Sequence, residues 1–323
     1  MKKIKIIFSV ILSIIILSTA LFLIFRPPTQ EVPKLSSSII EKTIKHNGLD
    51  RTYSFYKPKG LQPLSPLVIV FHRAKSSGIQ MRELTGYRFD KIADDDNFIV
   101  VYPDGYEGNW NDCRKSAKDS AHKLNIDDVG FIKSLIDLFV KEYSIDRSRV
   151  FLTGLSNGGH MCFKLAMEIS DKIRAIAAIA AHIPVKENNS CSIPHVPVSI
   201  LLVSGTNDPI NPFEGGDVSI LGIIKKGQVL SAMGTVEFWL KAFGISASPT
   251  FLKFPDKKPD DGSWIDRKTW ISKENNQITL YTVHGGGHTI PGTKQHLSFF
   301  WGKTNQDIIM VDEIMKFFSA LKN

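Results

Sequence analysis

Three residues of this chain have the types and the order needed to transfer an acyl group. Ser156 stands in Gly154-Leu155-Ser156-Asn157-Gly158-Gly159, Asp208 in Gly205-Thr206-Asn207-Asp208-Pro209, and His288 in Gly285-Gly286-Gly287-His288-Thr289. A serine hydroxyl is a weak nucleophile until a base takes its proton and a third group orients that base. Each assignment has a plainer rival. Ser156 could be an ordinary turn serine. Asp208 could serve only as an Asx-turn residue before Pro209, with Asp217 in reserve. His284 competes with His288, but three glycines carry His288 away from its strand, whereas His284 is still at the strand end. A metal held by both histidines has no third ligand at a helpful spacing, so no metal is expected there.

The chemistry requires elements that aim these side chains at one another. Val150-Phe151-Leu152-Thr153 reads as a strand and His160 to Ile169 as an amphipathic helix, so Ser156 falls where a strand turns sharply into a helix. Glycines on either side of the serine suit a turn with no room for Cβ atoms. The apolar runs Val198 to Val203 and Ile278 to Val283 place Asp208 and His288 just past two further strands. A developing oxyanion needs backbone donors, expected here from Asn157 and, in the loop after Phe71-His72, from Ala74. Arg73 in that loop would narrow the backbone choices or point a cation into the site. His72 reads as a buried structural residue.

The remaining pattern supplies the scaffold. Leu67 to His72 and Phe98 to Tyr102 are continuous apolar runs, the mark of strands covered on both faces. Gln80 to Asp95 and Asp127 to Tyr143 have helical spacing, the latter behind an aspartate cap, and Ala175 to Ala180 is another short apolar strand. Ile40 to His46 and Arg51 to Tyr56 flank Asn47-Gly48 as an antiparallel hairpin. The alternation predicts an α/β class: a doubly wound, mostly parallel sheet with helices on both faces and that hairpin at its N-terminal edge. Pro103 to Ile126, Ile210 to Met233 and Pro249 to Asn276 break the alternation and are expected as insertions on the active face. Trp110, Trp264 and Trp270 in these segments offer flat apolar surface for a sugar or an aromatic acyl group.

The chain has 323 residues, 43% hydrophobic and 22% charged, an ordinary globular balance. Of its net charge of +8, residues 1–35 contribute +4: Lys2, Lys3, Lys5, Arg26 and Lys34 against Glu31. The remaining +4 argues against a nucleic-acid partner. The lysines precede an uncharged run from Ile6 to Phe25, which at ~1.5 Å per residue matches a hydrocarbon core of about 30 Å. Residues 1–25 therefore read as a signal peptide or a membrane anchor. Ser18-Thr19-Ala20 suits cleavage, but the apolar run continues past it. Either outcome exports the rest, to a periplasmic or extracellular site, with membrane contact only through this segment. Residues 26–38 read as a linker and 39–323 as the catalytic domain. Of three cysteines, Cys113 and Cys191 lie in loops and form the expected disulfide, whereas Cys162 lies in the helix after Ser156.

With these motifs in place, the chain resembles the exported esterases of the poly(3-hydroxybutyrate) depolymerase and feruloyl esterase type, in carbohydrate esterase family one. The resemblance runs from about Tyr53 to Gly292. It rests on Tyr102-Pro103-Asp104-Gly105 with Trp110-Asn111, on Asp128-Val129-Gly130-Phe131-Ile132, on the serine motif, on Gly205 to Pro209, and on Gly287-His288-Thr289 with Pro291-Gly292. It implies an α/β-hydrolase without metal or organic cofactor, with Ser156 as nucleophile, Asp208 as orienting acid and His288 as base. The expected substrates are hydroxyalkanoate, feruloyl or acetyl esters, small or oligomeric. His72-Arg73 departs from the His-Gly expected there, and Ser204 stands where the family often has another histidine. A peptidase on the same fold, or a catalytically silent binding protein with Arg73 blocking the oxyanion site, are the rival readings.

Overall fold

The computed structural model describes residues 8, 11–19, 30–220, 222–294 and 298–321, with the side chains of 298 and 299 left aside. A 10-stranded sheet organises it, in the order β1-β2-β4-β3-β5-β6-β7-β12-β11-β10. The hairpin comes first, β1 (Ile40–His46) and β2 (Leu49–Tyr56). Asn47 and Gly48 turn between them at φ 49° and 77°, the positive values that a two-residue hairpin turn demands.

The central strands are β3 (Leu67–Phe71), β4 (Ile99–Pro103), β5 (Val150–Leu155), β6 (Ala175–Ile179), β7 (Ser199–Gly205) and β12 (Gln277–His284). They pair in parallel from β4 through β3, β5, β6 and β7 to β12. Their apolar runs are buried on both faces, and alternate residues feed two cores. Leu67, Ile69 and Phe71 share one core with Phe131, Ile132 and Leu135 of α4 (Asp128–Tyr143), Met161 and Leu165 of α5 (Asn157–Glu168), and Val236 and Trp239 of α6 (Ala232–Ala242). Val68 and Val70 share the other with Met81 and Leu84 of α1 (Gly78–Leu84), Phe89 of α2 (Arg88–Asp96), and Ile314 and Phe318 of α8 (Met310–Ala320). Each such side chain contributes about 1.5–3 kcal/mol when fully buried. The doubly wound sheet follows from that pattern.

Two segments differ from the expected pattern and two gain detail. Gln80 to Asp95 is two helices, broken where Gly86 and Tyr87 take φ 63° and 56°. Pro249 to Asn276 is mostly sheet rather than insertion: it holds β10 (Thr250–Lys253) and β11 (Trp264–Ile271), which extend the sheet antiparallel beyond β12, and only the loop between them lies at the edge where β12 ends. Strands at a sheet edge are half exposed, so their apolar content is too low to read as a run. Most of Ile210 to Met233 is a separate ribbon, β8 (Gly216–Ile220) with β9 (Ile224–Val229). Pro103 to Ile126 carries the short helix α3 (Ser120–Lys123) and is tied down by the Cys113–Cys191 disulfide, Cα atoms 5.4 Å apart, while Cys162 is a buried free thiol. Residues 11–19 are helical; the rest of the expected signal or anchor, apart from residue 8, lies outside the described residues. Among the described residues no helix is long and apolar enough to cross a membrane.

Candidate active site

Ser156 caps α5 at φ 57°, ψ −117°, a conformation that strains a residue with a side chain. Its amide donates to Ile179 O at 2.8 Å and its carbonyl accepts from His160 N at 2.9 Å, so strand and helix hold the turn from both sides. The crossing is tight. A Cβ at Gly154 would lie 2.5 Å from Gly158 C, and one at Gly158 would lie 2.5 Å from Phe71 O. Because β5, β7 and β12 run in the same direction, Ser156, Asp208 and His288 all follow strands at the same edge of the sheet.

Asp208 and His288 meet there. His288 Nδ1 lies 2.7 Å from Asp208 Oδ2, with the two side chains 2% and 1% exposed. Asp208 Oδ1 accepts from the amides of Ile210 and Asn211, each at 2.8 Å. The Asx turn and the histidine contact thus use different oxygens of one carboxylate, and neither excludes the other. His288 is held on its backbone as well, donating from N to Trp301 O at 2.6 Å; Trp301 belongs to α7 (Ser298–Trp301). Among the described residues no hydrogen bond joins Ser156 Oγ to His288; such contacts often tighten only around a bound substrate. The rivals stand elsewhere. His284 Nε2 is 2.7 Å from Asp266 Oδ2, and Asp217 pairs with Lys225 on the exposed ribbon at 3.5 Å. Among the described residues no cluster of three or more His, Cys, Asp or Glu side chains could hold a metal ion.

The backbone expected to receive an oxyanion is carried by β3, the start of α5 and the loop of Trp110. Asn157, the first residue of α5, accepts from Trp110 N at 2.8 Å and donates to Trp110 O at 3.0 Å and Asp112 Oδ2 at 2.7 Å. His72 Nε2 accepts from Gly105 N at 2.9 Å, which leaves the proton on Nδ1 to donate to Arg73 O at 2.7 Å. Burial pushes the His72 pKa down to about 4, so the ring is neutral and structural. Pinning the Arg73 carbonyl also fixes the N–H of the same planar peptide unit, that of Ala74. The Arg73 side chain leaves this backbone for the face of Trp301, its guanidinium carbon 4.3 Å from the ring centroid.

The tryptophans are corrected by this geometry. Trp110 is fully buried, donates Nε1–H to His72 O at 3.0 Å and packs edge-on against Phe71. Trp270 is buried in the core. Neither offers a face to a ligand. Trp264 is already stacked on His284 at 3.6 Å between centroids and carries Lys253 Nζ at 4.4 Å.

Beneath the site lies a buried charge network that local sequence does not reveal. Arg114 and His122 both contact Asp112, and His122 Nδ1 also contacts Asp119 at 2.8 Å. Lys226 of β9 closes it at 3.4 Å from Asp119. Burial works against the charged histidine, but the two carboxylates prevail and raise the His122 pKa to about 9. His182, after β6, places Nε2 2.8 Å from Ser204 Oγ, and burial lowers its pKa to about 4. Asp112, Arg114, Asp119 and His182 lie on loops without periodicity, and the patterns of the elements that carry His122, Lys226 and Ser204 give no sign of these pairings.

A family model described as "Esterase PHB depolymerase" matches residues 51–209, from β2 past Asp208. In the solved acetyl xylan esterase from Aspergillus awamori, 88% of this chain superposes on 99% of that one, with a TM-score of 0.55 at 16% identity. The chain has the α/β-hydrolase fold. It resembles the polyhydroxybutyrate depolymerase and feruloyl esterase type. The candidate esterase NocK of Nocardia uniformis subsp. tsuyamanensis is 26% identical over 303 residues, 90% of this chain and 85% of that protein. Feruloyl esterase B of Piromyces equi is 27% identical over 235 residues, 69% of this chain but 39% of that longer protein.

Proposed function

We propose that the chain is an exported serine esterase that hydrolyses carboxylic esters through an acyl-enzyme on Ser156. The His288–Asp208 contact carries the reading: a buried carboxylate on Nδ1 leaves Nε2 as the basic atom, at the same sheet edge as a strained serine. Ser156 Oγ attacks the ester carbonyl and gives its proton to His288 Nε2. The resulting imidazolium is stabilised by Asp208, and the oxyanion is received by the amides of Asn157 and Ala74. His288 then protonates the departing alcohol, and water repeats the sequence on the acyl-enzyme.

The acyl group belongs to the hydroxyalkanoate, feruloyl or acetyl class. The description of the family model supports the first class, and relatives named as feruloyl and acetylxylan esterases support the other two. Export rests on Lys2, Lys3 and Lys5 ahead of the run from Ile6 to Phe25. A fluorophosphonate probe should label the protein, and Ser156→Ala should abolish labelling together with hydrolysis of p-nitrophenyl acetate. Persistent labelling of the variant would sink the assignment. Methyl ferulate, acetylated xylan and 3-hydroxybutyrate oligomers then separate the acyl classes, and a reporter fused after Ile40 tests export.

A further inference from the structure

We propose that Arg73 is a positioning residue that joins the two halves of this active site through the ring of Trp301; the inference rests on the esterase reading. The histidine side is a clamp. Asp208 holds His288 Nδ1, and the carbonyl of Trp301 holds the His288 amide at 2.6 Å. The indole of Trp301 lies nearly parallel to the imidazole, 18° apart with centroids at 6.0 Å. Gly287 N donates to Lys303 O at 2.8 Å, so the backbone at Trp301 and two residues after it grips the loop that carries His288.

The oxyanion side meets this clamp at Arg73. Its guanidinium packs on the Trp301 ring at 4.3 Å, and the residue is only 4% exposed. A guanidinium is flat and weakly hydrated, so it can be buried against an aromatic face where an ammonium is disfavoured. Arg73 is therefore held both by its carbonyl on His72 Nδ1 and by its side chain on Trp301. The first contact orients the Ala74 N–H, and the second ties that loop to the wall beside His288. Base and oxyanion donor keep their separation because one side chain spans the gap. The arginine that looked like an obstruction in the sequence is a brace.

The test combines kinetics with a readout that does not need turnover. Arg73→Met should lower kcat for p-nitrophenyl acetate roughly 10- to 100-fold, the scale of a misplaced catalytic group, with KM changed less than about 3-fold. Arg73→Lys should recover only part of this, since it keeps the charge and loses the planar contact. Trp301→Leu should be deleterious alone, and combining it with Arg73→Met should add little. In the free enzyme, Arg73→Met should move the His288 ring-proton resonances, which sense the Trp301 ring. An unchanged kcat in Arg73→Met, a loss confined to KM, or additive losses in the double variant would overturn the proposal. Should the wild-type protein hydrolyse no ester, the esterase reading fails by itself; the resonances then decide, unmoved ones refuting the brace and moved ones supporting it. If Arg73→Met does not fold, Arg73→Lys and Trp301→Phe carry the same measurements.

Discussion

Replacing Asp208 by asparagine is the most informative perturbation of the site, because the surrounding hydrogen bonds dictate how the amide must sit. Asp208 Oδ1 accepts two backbone amides, from Ile210 and Asn211, while Oδ2 faces His288 Nδ1. An asparagine has one acceptor oxygen, and two donors already claim it. Its NH2 is left facing His288, where it must donate, so Nδ1 becomes the acceptor and the imidazole proton moves to Nε2. The histidine then has no lone pair for the serine proton. The fold keeps the same contacts and volume, so stability should change by less than about 1 kcal/mol, the net worth of one typical hydrogen bond. The same inversion in a serine protease lowers kcat by roughly 10⁴, or about 5 kcal/mol of barrier. Steady-state hydrolysis of p-nitrophenyl acetate between pH 6 and 9, with urea unfolding in parallel, measures both quantities. Retention of more than about one-tenth of wild-type kcat by a correctly folded Asp208→Asn protein would refute the tautomer argument.

The other expectations concern the supports of the site. The disulfide spans a sequence separation of 78 residues. In the chain-entropy picture a loop of that size stabilises by about 4 kcal/mol, so Cys113→Ser should lower the urea midpoint markedly; an unchanged midpoint would show that the loop of Trp110 is held by its hydrogen bonds alone. His122 has its pKa raised to about 9 by Asp112 and Asp119 against the effect of burial. Its contribution, on the order of 3 kcal/mol, is fully present below pH 6.5 and should be lost as pH rises through about 9. Asp119 runs the other way: its pKa falls to about 2, since His122 and Lys226 outweigh burial. Its contribution is present above about pH 4 and disappears as pH falls through about 2. Urea unfolding from pH 2 to 10 reads both limbs, and His122→Ala should flatten the alkaline one.

The parts of this site that were legible in sequence are those whose direction is set by the backbone. A strand followed at once by Gly-x-Ser-x-Gly determines where Ser156 points, because the turn is too tight for alternatives. Asp208 and His288 could be placed at one sheet edge because each follows an apolar strand, and parallel strands end together. The hairpin at Asn47-Gly48 was legible for the same local reason, and the pairing of Cys113 with Cys191 because both lie in loops while Cys162 lies in a helix. Side chains that act across the packing were not. Trp110, Trp264 and Trp270 looked like platforms because sequence shows an aromatic residue but not which neighbour already covers it. Arg73 shows the difference most clearly. Its backbone belongs to the oxyanion loop, so a substitution there reads as damage to that loop. Yet the peptide that matters is oriented by His72 from behind, and the side chain departs toward a tryptophan 228 residues further along the chain. A departure from a family's pattern at a backbone-donor position is therefore to be judged in two parts, the carbonyl's partner and the side chain's destination. At residue 73 the first holds the donor in place, and the second adds a strut.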